Sequence, residues 1–270
     1  MVEYKNFLTT EENGIFWAKL NRTGKMNAFN QEVAEDLNKI VMYVKNNPSI
    51  KVFVIGTTSN DYFSAGADVE WFMKINGPEA VDVSYQVHQV FGNLERLSIP
   101  VIAAVKGLCL TAGLELIMCC DMIYAAENAK FGQIECRFGI TPGGGGTQRL
   151  TRLVGPLKAK ELIYLGRIIG ADEANKIGLV NAVFELEDFD TKINKICRKI
   201  ILNSSEAIRE CKFLIQQATY INETGFQREE IVFGKRFASG EPNERLSFMV
   251  AQQKREKRKK ERAKKKNEAA

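Results

Sequence analysis

The distribution of apolar residues predicts strands and helices in alternation over the first half of the chain. Residues 3–10 and 14–20 are predicted strands joined by a turn at 12–14. The runs 51–57 and 101–105 are apolar without polar alternation, which is typical of strands covered on both faces. We therefore expect a layered core with buried strands.

Helical spacing of apolar residues separates these strands and dominates the second half. Asn30 suits a helix N-cap, and apolar positions recur at helical spacing from Val33 to Val44, so a helix is predicted to about Lys45. Another helix is predicted over 79–96. From residue 156 onward the predicted helices are 156–166, 171–177, 188–202, 204–219, 222–238 and one that begins near Glu241.

Length and composition fit an α/β fold class with one large core. The 270 residues are 45% hydrophobic and include 16 Phe, which is enough to bury a substantial core. We expect three parts along the chain. They are an α/β core over residues 1–195, a helical region over 196–253, and a basic tail over 254–270 that is frayed or disordered.

Cysteine, histidine and charge positions exclude several classes of protein. None of the six cysteines forms a C-x-x-C pair, so we expect free thiols in a reducing compartment, with the cytoplasm as the default location. The single histidine, His88, excludes a histidine-rich metal cluster, and we interpret it as an ordinary surface or packing residue. Lys106, Glu115 and Asp121 divide the apolar region 97–126 into pieces too short to span a membrane.

Positive charge is concentrated at the C-terminal end. The chain has a net charge of +5, and residues 254–270 contain ten Lys or Arg and three Glu, which leaves −2 for residues 1–253. A basic run can bind phosphate backbones, but this tail has no aromatic residue for base stacking. Charge runs are usually solvated, so RNA binding through this tail is the less favoured alternative.

Two glutamates in the region 100–150 are the candidate catalytic groups. Glu115 is the only charged residue between Leu108 and Cys120, and Glu135 lies just beyond a short predicted strand. A buried carboxylate is costly unless it is paired, hydrogen-bonded or shares a proton. Each glutamate could be a structural acid, but two of them beside small residues favour a general acid/base pair.

Small residues end two of the predicted strands. Residues 65–67 precede Asp68 near a helix start, and residues 112–113 begin the helix that carries Glu115. Backbone amides freed at two such corners can converge to form an oxyanion hole. The glycine run 142–146 matches neither a phosphate-binding P-loop nor a dinucleotide-binding fingerprint, and we interpret it as a flexible turn that allows close packing.

Five segments in register resemble the crotonase superfamily, and its enoyl-CoA hydratases in particular. They are FSAGAD (63–68), PVIAAVKG (100–107), GLEL-x4-D (113–121), FGQIE (131–135) and PGGGGTQRL (142–150). The resemblance extends over about residues 4–250. It implies a crotonase-type ββα spiral core with a C-terminal helical region, assembled as a homo-oligomer that is a trimer or a hexamer.

The same resemblance implies an acyl-CoA thioester substrate. The amides of Ala67 and Ala112 would hold the thioester oxygen, and alanine stands at 112 where the family usually has glycine. Glu115 and Glu135 would hold a water molecule, with Glu115 as the base toward it and Glu135 as the acid that protonates Cα. No cofactor is implied, because coenzyme A enters as part of the substrate.

Further substrate contacts are implied by position. The predicted substrate-binding residues are Ala65, Gly66, Asp68, Trp71, Gly113 and Lys25. Trp71, with the two residues after it, falls where the family lines the acyl pocket, and plain core packing explains it equally well. Lys25 lies in a loop that often touches coenzyme A, but RTGKM replaces the usual RPK-type sequence there.

Two related activities stay open at this point. A Δ3,Δ2-enoyl-CoA isomerase typically keeps only the acid at the position of Glu135, so the presence of Glu115 favours hydration. A hydratase of cyclic or conjugated dienoyl-CoA would use the same residues.

Overall fold

The architecture is taken from a computed structural model that describes residues 3–218 and 223–268. Its strands are β1 Phe7–Glu12, β2 Ile15–Leu20, β3 Val52–Thr57, β4 Tyr62–Ser64, β5 Val101–Val105, β6 Leu108–Leu110, β7 Met122–Ala126, β8 Lys130–Gly132, β9 Ile168–Gly170 and β10 Ala182–Phe184. Its helices are α1 Gln31–Asn46, α2 Val69–Phe72, α3 Gly77–Glu95, α4 Ala112–Ile117, α5 Gly146–Val154, α6 Pro156–Leu165, α7 Ala171–Lys176, α8 Phe189–Ile201, α9 Ser205–Ala218, α10 Glu223–Ala238 and α11 Glu241–Glu268. Short 3-10 helices lie at Thr23–Lys25 and Glu135–Phe138.

The larger sheet forms the centre of the fold, with the strand order β1-β2-β3-β5-β7-β10. β1 and β2 are an antiparallel hairpin, and each later pair is parallel. As predicted, β3 and β5 are buried along their whole length. Helices cover both faces: α1 and α3 pack on one through residues such as Leu37 and Phe91, and α8 packs on the other through Phe189 and Ile193.

The smaller sheet positions the candidate site, with the strand order β4-β6-β8-β9. β4, β6 and β8 are parallel, and β9 runs antiparallel to β8. Each of these strands has three residues. A strand so short shows no periodicity, which is why the sequence predicts a loop where β6 lies and no strand at β9. Parallel neighbours end at the same edge, so the turns after β4 and β6 lie side by side.

The helices of the second half agree closely with the prediction. The observed bounds lie within one residue of the predicted ones for five helices, α6 to α10. The predicted end of α9 at 219 and the predicted start of α10 at 222 lie outside the described residues. α8 runs across residue 195, and the division of the chain at that point stays a prediction. Although the sequence predicts a frayed or disordered tail, α11 continues through the basic segment to Glu268, with residues 254–262 exposed.

Large apolar side chains lie on the surface of the helical region. Leu157, Tyr164 and Leu165 on α6, and Phe213 and Leu214 on α9, are each more than half exposed. Within residues 3–218 and 223–268, no helix combines the length and the apolar character needed to cross a membrane.

Candidate active site

The two small-residue corners predicted from the sequence are in direct contact. The turn after β4 contains Gly66, and a methyl group added there would collide with the hydroxyl of Thr111, which follows β6. A methyl group at Gly113 would lie 2.7 Å from Cβ of Ser64. Glycine at both positions therefore allows the two corners to pack backbone against backbone.

The amides of Ala67 and Ala112 are available at this contact. Both residues are half-buried, and neither amide donates a hydrogen bond to another described residue. The amides next to Ala67 are occupied, since Gly66 donates to Ser64 Oγ at 3.2 Å and Asp68 donates to Phe29 O at 2.7 Å. The structure thus places Ala67 and Ala112 on two corners that are in contact, and their role as an oxyanion hole stays a prediction.

Glu115 is held by the glycine run, which we call the glycine loop (residues 142–146). Its Oε1 accepts hydrogen bonds from the Gly144 and Gly146 amides, each at 2.8 Å. A methyl group at Gly144 would lie 2.7 Å from Glu115 Oε2, and one at Gly146 would lie 2.9 Å from Oε1. The interpretation of this run as a flexible packing turn is incomplete, because its backbone cradles the buried carboxylate.

Glu135 lies beside the same loop, through its neighbour Gln133. Its Oε1 accepts a hydrogen bond from Gln133 Nε2 at 2.7 Å, whereas its buried Oε2 has no hydrogen-bond partner among the described residues. A methyl group at Gly146 would lie 2.7 Å from the same Gln133 nitrogen. Since the same position is 2.9 Å from Glu115 Oε1, Glu115 and the Gln133–Glu135 pair both lie close to Gly146.

Burial and neighbouring charges raise the pKa of both glutamates. Burial raises the pKa of Glu115 to about 7, with a further contribution from the Glu229 carboxylate, while the amides of Gly144 and Gly146 oppose the shift. Burial, followed by the charge of Glu115, raises the pKa of Glu135 well above its ordinary value of 4.5. Both acids therefore hold a proton more tightly than an exposed glutamate does, and the two amides on Glu115 favour its ionised form within this coupled pair.

Comparison with known proteins identifies the family of this chain. A family model described as enoyl-CoA hydratase/isomerase matches residues 10–261. The chain belongs to this family. The α/β fold class of the crotonase superfamily, and the resemblance to its enoyl-CoA hydratases, are thereby confirmed.

Individual members of the family match over almost the whole chain. Crotonyl-CoA hydratase of Syntrophomonas wolfei is 36% identical over 93% of this chain and 97% of that protein. Short-chain-enoyl-CoA hydratase of Clostridium acetobutylicum is 34% identical over 94% of this chain and 97% of that protein. The crystal structure of enoyl-CoA hydratase from Bacillus anthracis superposes with a TM-score of 0.78 at 31% identity, covering 86% of this chain and 90% of that one.

In this member of the enoyl-CoA hydratase/isomerase family, the sequence does not predict the contacts of one buried residue. His88 on α3 is only 8% exposed, which excludes the surface alternative, and its packed ring also meets two carboxylates that the sequence does not predict. Nδ1 lies 2.8 Å from Glu230 Oε1, and Nε2 lies 3.2 Å from Glu229 Oε1. Although burial opposes its charge, hydrogen bonds to Glu229 and Glu230 raise the pKa of His88. No local signal identifies this group, because its partners are 142 and 141 residues away.

Two of the other predicted substrate-binding residues make structural contacts beside the corner. Asp68 Oδ1 accepts the Glu70 amide at the start of α2, and its Oδ2 pairs with Arg22 at 2.9 Å. The amide of Ala65 donates to Met26 O at 3.0 Å. Contact of Asp68 or Ala65 with substrate stays a prediction.

Trp71 and Lys25 lie close to the same corner. Trp71 contacts Phe72, which in turn packs against Phe233 of α10, so the residue belongs to an aromatic cluster and its acyl-pocket role stays a prediction. Lys25 pairs with Glu70 at 2.9 Å on the surface, and its contact with coenzyme A is equally untested. Within the described part of the chain, no group of three or more His, Cys, Asp or Glu side chains could hold a metal ion.

Proposed function

We propose that this protein hydrates a 2-enoyl-CoA to a 3-hydroxyacyl-CoA. The observation that supports this most directly is the placement of two buried glutamates, with unlike hydrogen bonding, next to one glycine loop. Similarity to proteins named crotonyl-CoA hydratase and short-chain-enoyl-CoA hydratase supports the same reaction. Acyl-CoA is then the substrate, and coenzyme A is part of it rather than a separate cofactor.

The proposed oxyanion hole consists of the amides of Ala67 and Ala112. Both amides donate to the thioester oxygen, which polarises the carbonyl and draws electron density from the conjugated double bond. As the water oxygen bonds to Cβ, the thioester becomes an enolate. Negative charge then develops on the thioester oxygen, and both hydrogen bonds to it strengthen. One such donor stabilises a transition state by about 3 kcal/mol. Contact between the corners supports this role, because it fixes the separation of the two donors before substrate arrives.

The proposed roles of the two acids follow from their proton affinities. Ionised Glu115 accepts a proton from water while the water oxygen bonds to Cβ, and Glu135 delivers its proton to Cα of the enolate. The net change is addition of one water molecule, after which a proton passes from Glu115 back to Glu135. The raised pKa of Glu135 supports its role as donor, and the two amides on Glu115 support its role as the ionised base.

An isomerase that moves a double bond along the acyl chain needs one acid to shuttle a proton. That reaction gives Glu115 no part, whereas the structure holds Glu115 with two backbone amides inside the same site. We therefore place hydration ahead of isomerisation. Hydration of a cyclic or conjugated dienoyl-CoA uses the same groups and differs only in the acyl chain.

We also propose that the protein is a homo-oligomer, a trimer or a hexamer. The exposed apolar side chains of α6 and α9 support self-association, because large apolar patches of this kind usually meet a partner surface. A cytoplasmic location fits the free state of all six cysteines.

The test is hydration of crotonyl-CoA, followed through the loss of the conjugated thioester absorbance, for wild type, Glu115→Gln and Glu135→Gln. Both substitutions keep the size of the side chain, and glutamine at 115 still presents an oxygen to the two amides. Glu12→Gln on the exposed end of β1 is the matched control. We expect both site variants to lose at least about 100-fold in kcat, the range for a positioned acid or base.

Other outcomes identify the alternatives. Loss confined to Glu135→Gln would reject hydration by two acids and indicate the isomerase. If wild type does not hydrate crotonyl-CoA, larger and cyclic enoyl-CoAs are assayed next. Inactivity on all of them would reject the proposed function.

A further inference from the structure

His88 and the glycine loop are connected through one carboxylate of α10. The Oε1 of Glu229 lies 3.2 Å from His88 Nε2, and it also accepts a hydrogen bond from the Gly145 amide at 2.6 Å. Its Oε2 accepts the Thr147 amide at 3.2 Å and the Thr147 hydroxyl. Glu229 is 6% exposed, so these bonds lie in the interior. A continuous hydrogen-bonded path therefore runs from His88 through Glu229 to the loop that holds Glu115.

The loop is bound on both sides by carboxylates. Its amides at 144 and 146 donate to Glu115, whereas those of Gly145 and Thr147 donate to Glu229. Successive amides thus point in opposite directions. Moving Glu229 would release the outer pair of amides and leave the inner pair, and hence Glu115, without a fixed position.

We propose that His88 is a positioning residue for this reaction: as an imidazolium between Glu229 and Glu230, it holds Glu229 against the glycine loop and so fixes the Glu115 carboxylate. This inference rests on the proposed hydration. Only the protonated ring can donate from both nitrogens, and both nitrogens face a carboxylate. A neutral ring would present a lone pair to one of the two acids.

The charged groups around His88 come from several elements. They are Glu229 and Glu230 of α10, Glu115 of α4, Arg149 of α5 and Glu95 of α3. The ring of Phe226 lies against both His88 and Arg149. Its centroid is 4.8 Å from the centroid of the imidazole ring and 4.9 Å from the guanidinium carbon of Arg149. Arg149 pairs with Glu95 at 2.8 Å, and His88 is the cation that the described ion pairs place on Glu229.

Loss of the imidazolium has a defined effect on Glu115. Glu229 raises the pKa of Glu115 and His88 lowers it, so removing the positive charge raises that pKa further. The base form of Glu115 then appears only at higher pH. Removing the negative charge of Glu229 has the opposite effect.

The first experiment is the pH dependence of kcat/KM for crotonyl-CoA. We expect the midpoint of the acid limb to rise by about one pH unit in His88→Gln and to fall in Glu229→Gln. Asp121→Asn is the control, because it breaks a different ion pair, with Lys212 at 2.7 Å, and should leave the midpoint in place. A purely structural role would lower kcat in both site variants without moving the midpoints apart, and that result would overturn the inference.

The second experiment does not depend on activity or on a variant of His88. The chain has one histidine, so the proton on its Cε1 gives one titrating NMR signal in tag-free protein. Coupling between two sites is reciprocal, so Glu115→Gln should lower the midpoint of His88 by the amount by which His88→Gln raises that of Glu115. Glu12→Gln should leave it unchanged.

The two experiments separate the inference from the proposed function. A His88 midpoint near 6.5 that does not respond to Glu115→Gln would overturn the positioning role, whatever the activity. If every enoyl-CoA is left unchanged by wild type while His88 still responds to Glu115→Gln, hydration is rejected and the link from His88 to Glu115 stands.

Discussion

Glu115 and Glu135 have the same side chain, and their neighbours decide how tightly each one holds a proton. Glu115 accepts two backbone amides on a single oxygen, whereas Glu135 accepts one side-chain amide. Hydrogen bonds donated to a carboxylate stabilise its ionised form, so the more heavily bonded acid ionises first. Acid and base roles therefore arise from the hydrogen bonds around two identical side chains.

The raised pKa of Glu115 predicts a pH-dependent gain in stability from Glu115→Gln. The folded chain binds this proton more tightly than the unfolded chain, with a pKa of about 7 against 4.5. The stabilisation from this group is present below pH 4.5 and is lost as the pH rises through 7. Relative to wild type, the variant should gain on the order of 3 kcal/mol in the free energy of unfolding between pH 4.5 and pH 8.

Denaturant unfolding of both proteins at the two pH values measures this difference. Glu12→Gln, on an exposed position, should follow wild type throughout. An equal stability difference at pH 4.5 and pH 8 would contradict a raised pKa for Glu115.

At the scale of elements, the glycine loop is the segment on which both acids depend. It joins the 3-10 helix of Glu135 to α5, and it meets Glu115 of α4 and Glu229 of α10. The loop can approach these carboxylates because it has no side chains at the points of contact. Its sequence signals a turn, but which groups its amides meet depends on helices that are distant in the chain.

Gly146→Ala is predicted to inactivate the enzyme with little loss of fold. The new methyl group would lie 2.9 Å from Glu115 Oε1 and 2.7 Å from Gln133 Nε2, so the loop or the acids must move. A displacement of about 1 Å can cost on the order of 100-fold in kcat. Steady-state kinetics on crotonyl-CoA and the melting temperature should be measured together.

The matched control is Gly170→Ala at the end of β9, where a methyl group would meet nothing within 4 Å. It should keep wild-type kcat. Full activity in a folded Gly146→Ala protein would mean that the glycine loop does not hold the acids in their working positions.

At the scale of the whole molecule, the apolar surface and the basic surface are separate. Exposed apolar side chains lie on α6 and α9, whereas the charge of the chain is concentrated in α11 beyond residue 254. Apolar surface favours self-association, and a basic surface repels its own copies. We therefore expect copies to meet through the apolar helices.

Light scattering after gel filtration should give three or six times the chain mass of 30.4 kDa. Leu157→Glu combined with Tyr164→Glu places two charges on the exposed face of α6 and should shift the mass toward that of one chain. Met42→Glu on α1 is the control, since it adds a charge at a partly exposed apolar position elsewhere. A wild-type protein of 30.4 kDa would contradict the proposed oligomer.

The sequence by itself determined the features that depend on local patterns. The helix from Asn30, the buried strands β3 and β5, and the helices of the second half follow from apolar spacing and caps within one segment. The two glutamates stood out because each is an isolated acid in apolar or small surroundings. Motif spacing was enough to assign the fold and the family.

The tertiary structure alone decided which distant groups meet. The three-residue strands β6 and β9 exist because a neighbouring strand pairs with them. They are too short for the periodicity of their apolar residues to predict a strand. The use of the Gly144 and Gly146 amides is invisible in the residue type, since every glycine has the same N–H group. His88 looks ordinary in the sequence because its acids are more than 140 residues away, and only the packing of α10 on α3 buries an imidazole between two carboxylates.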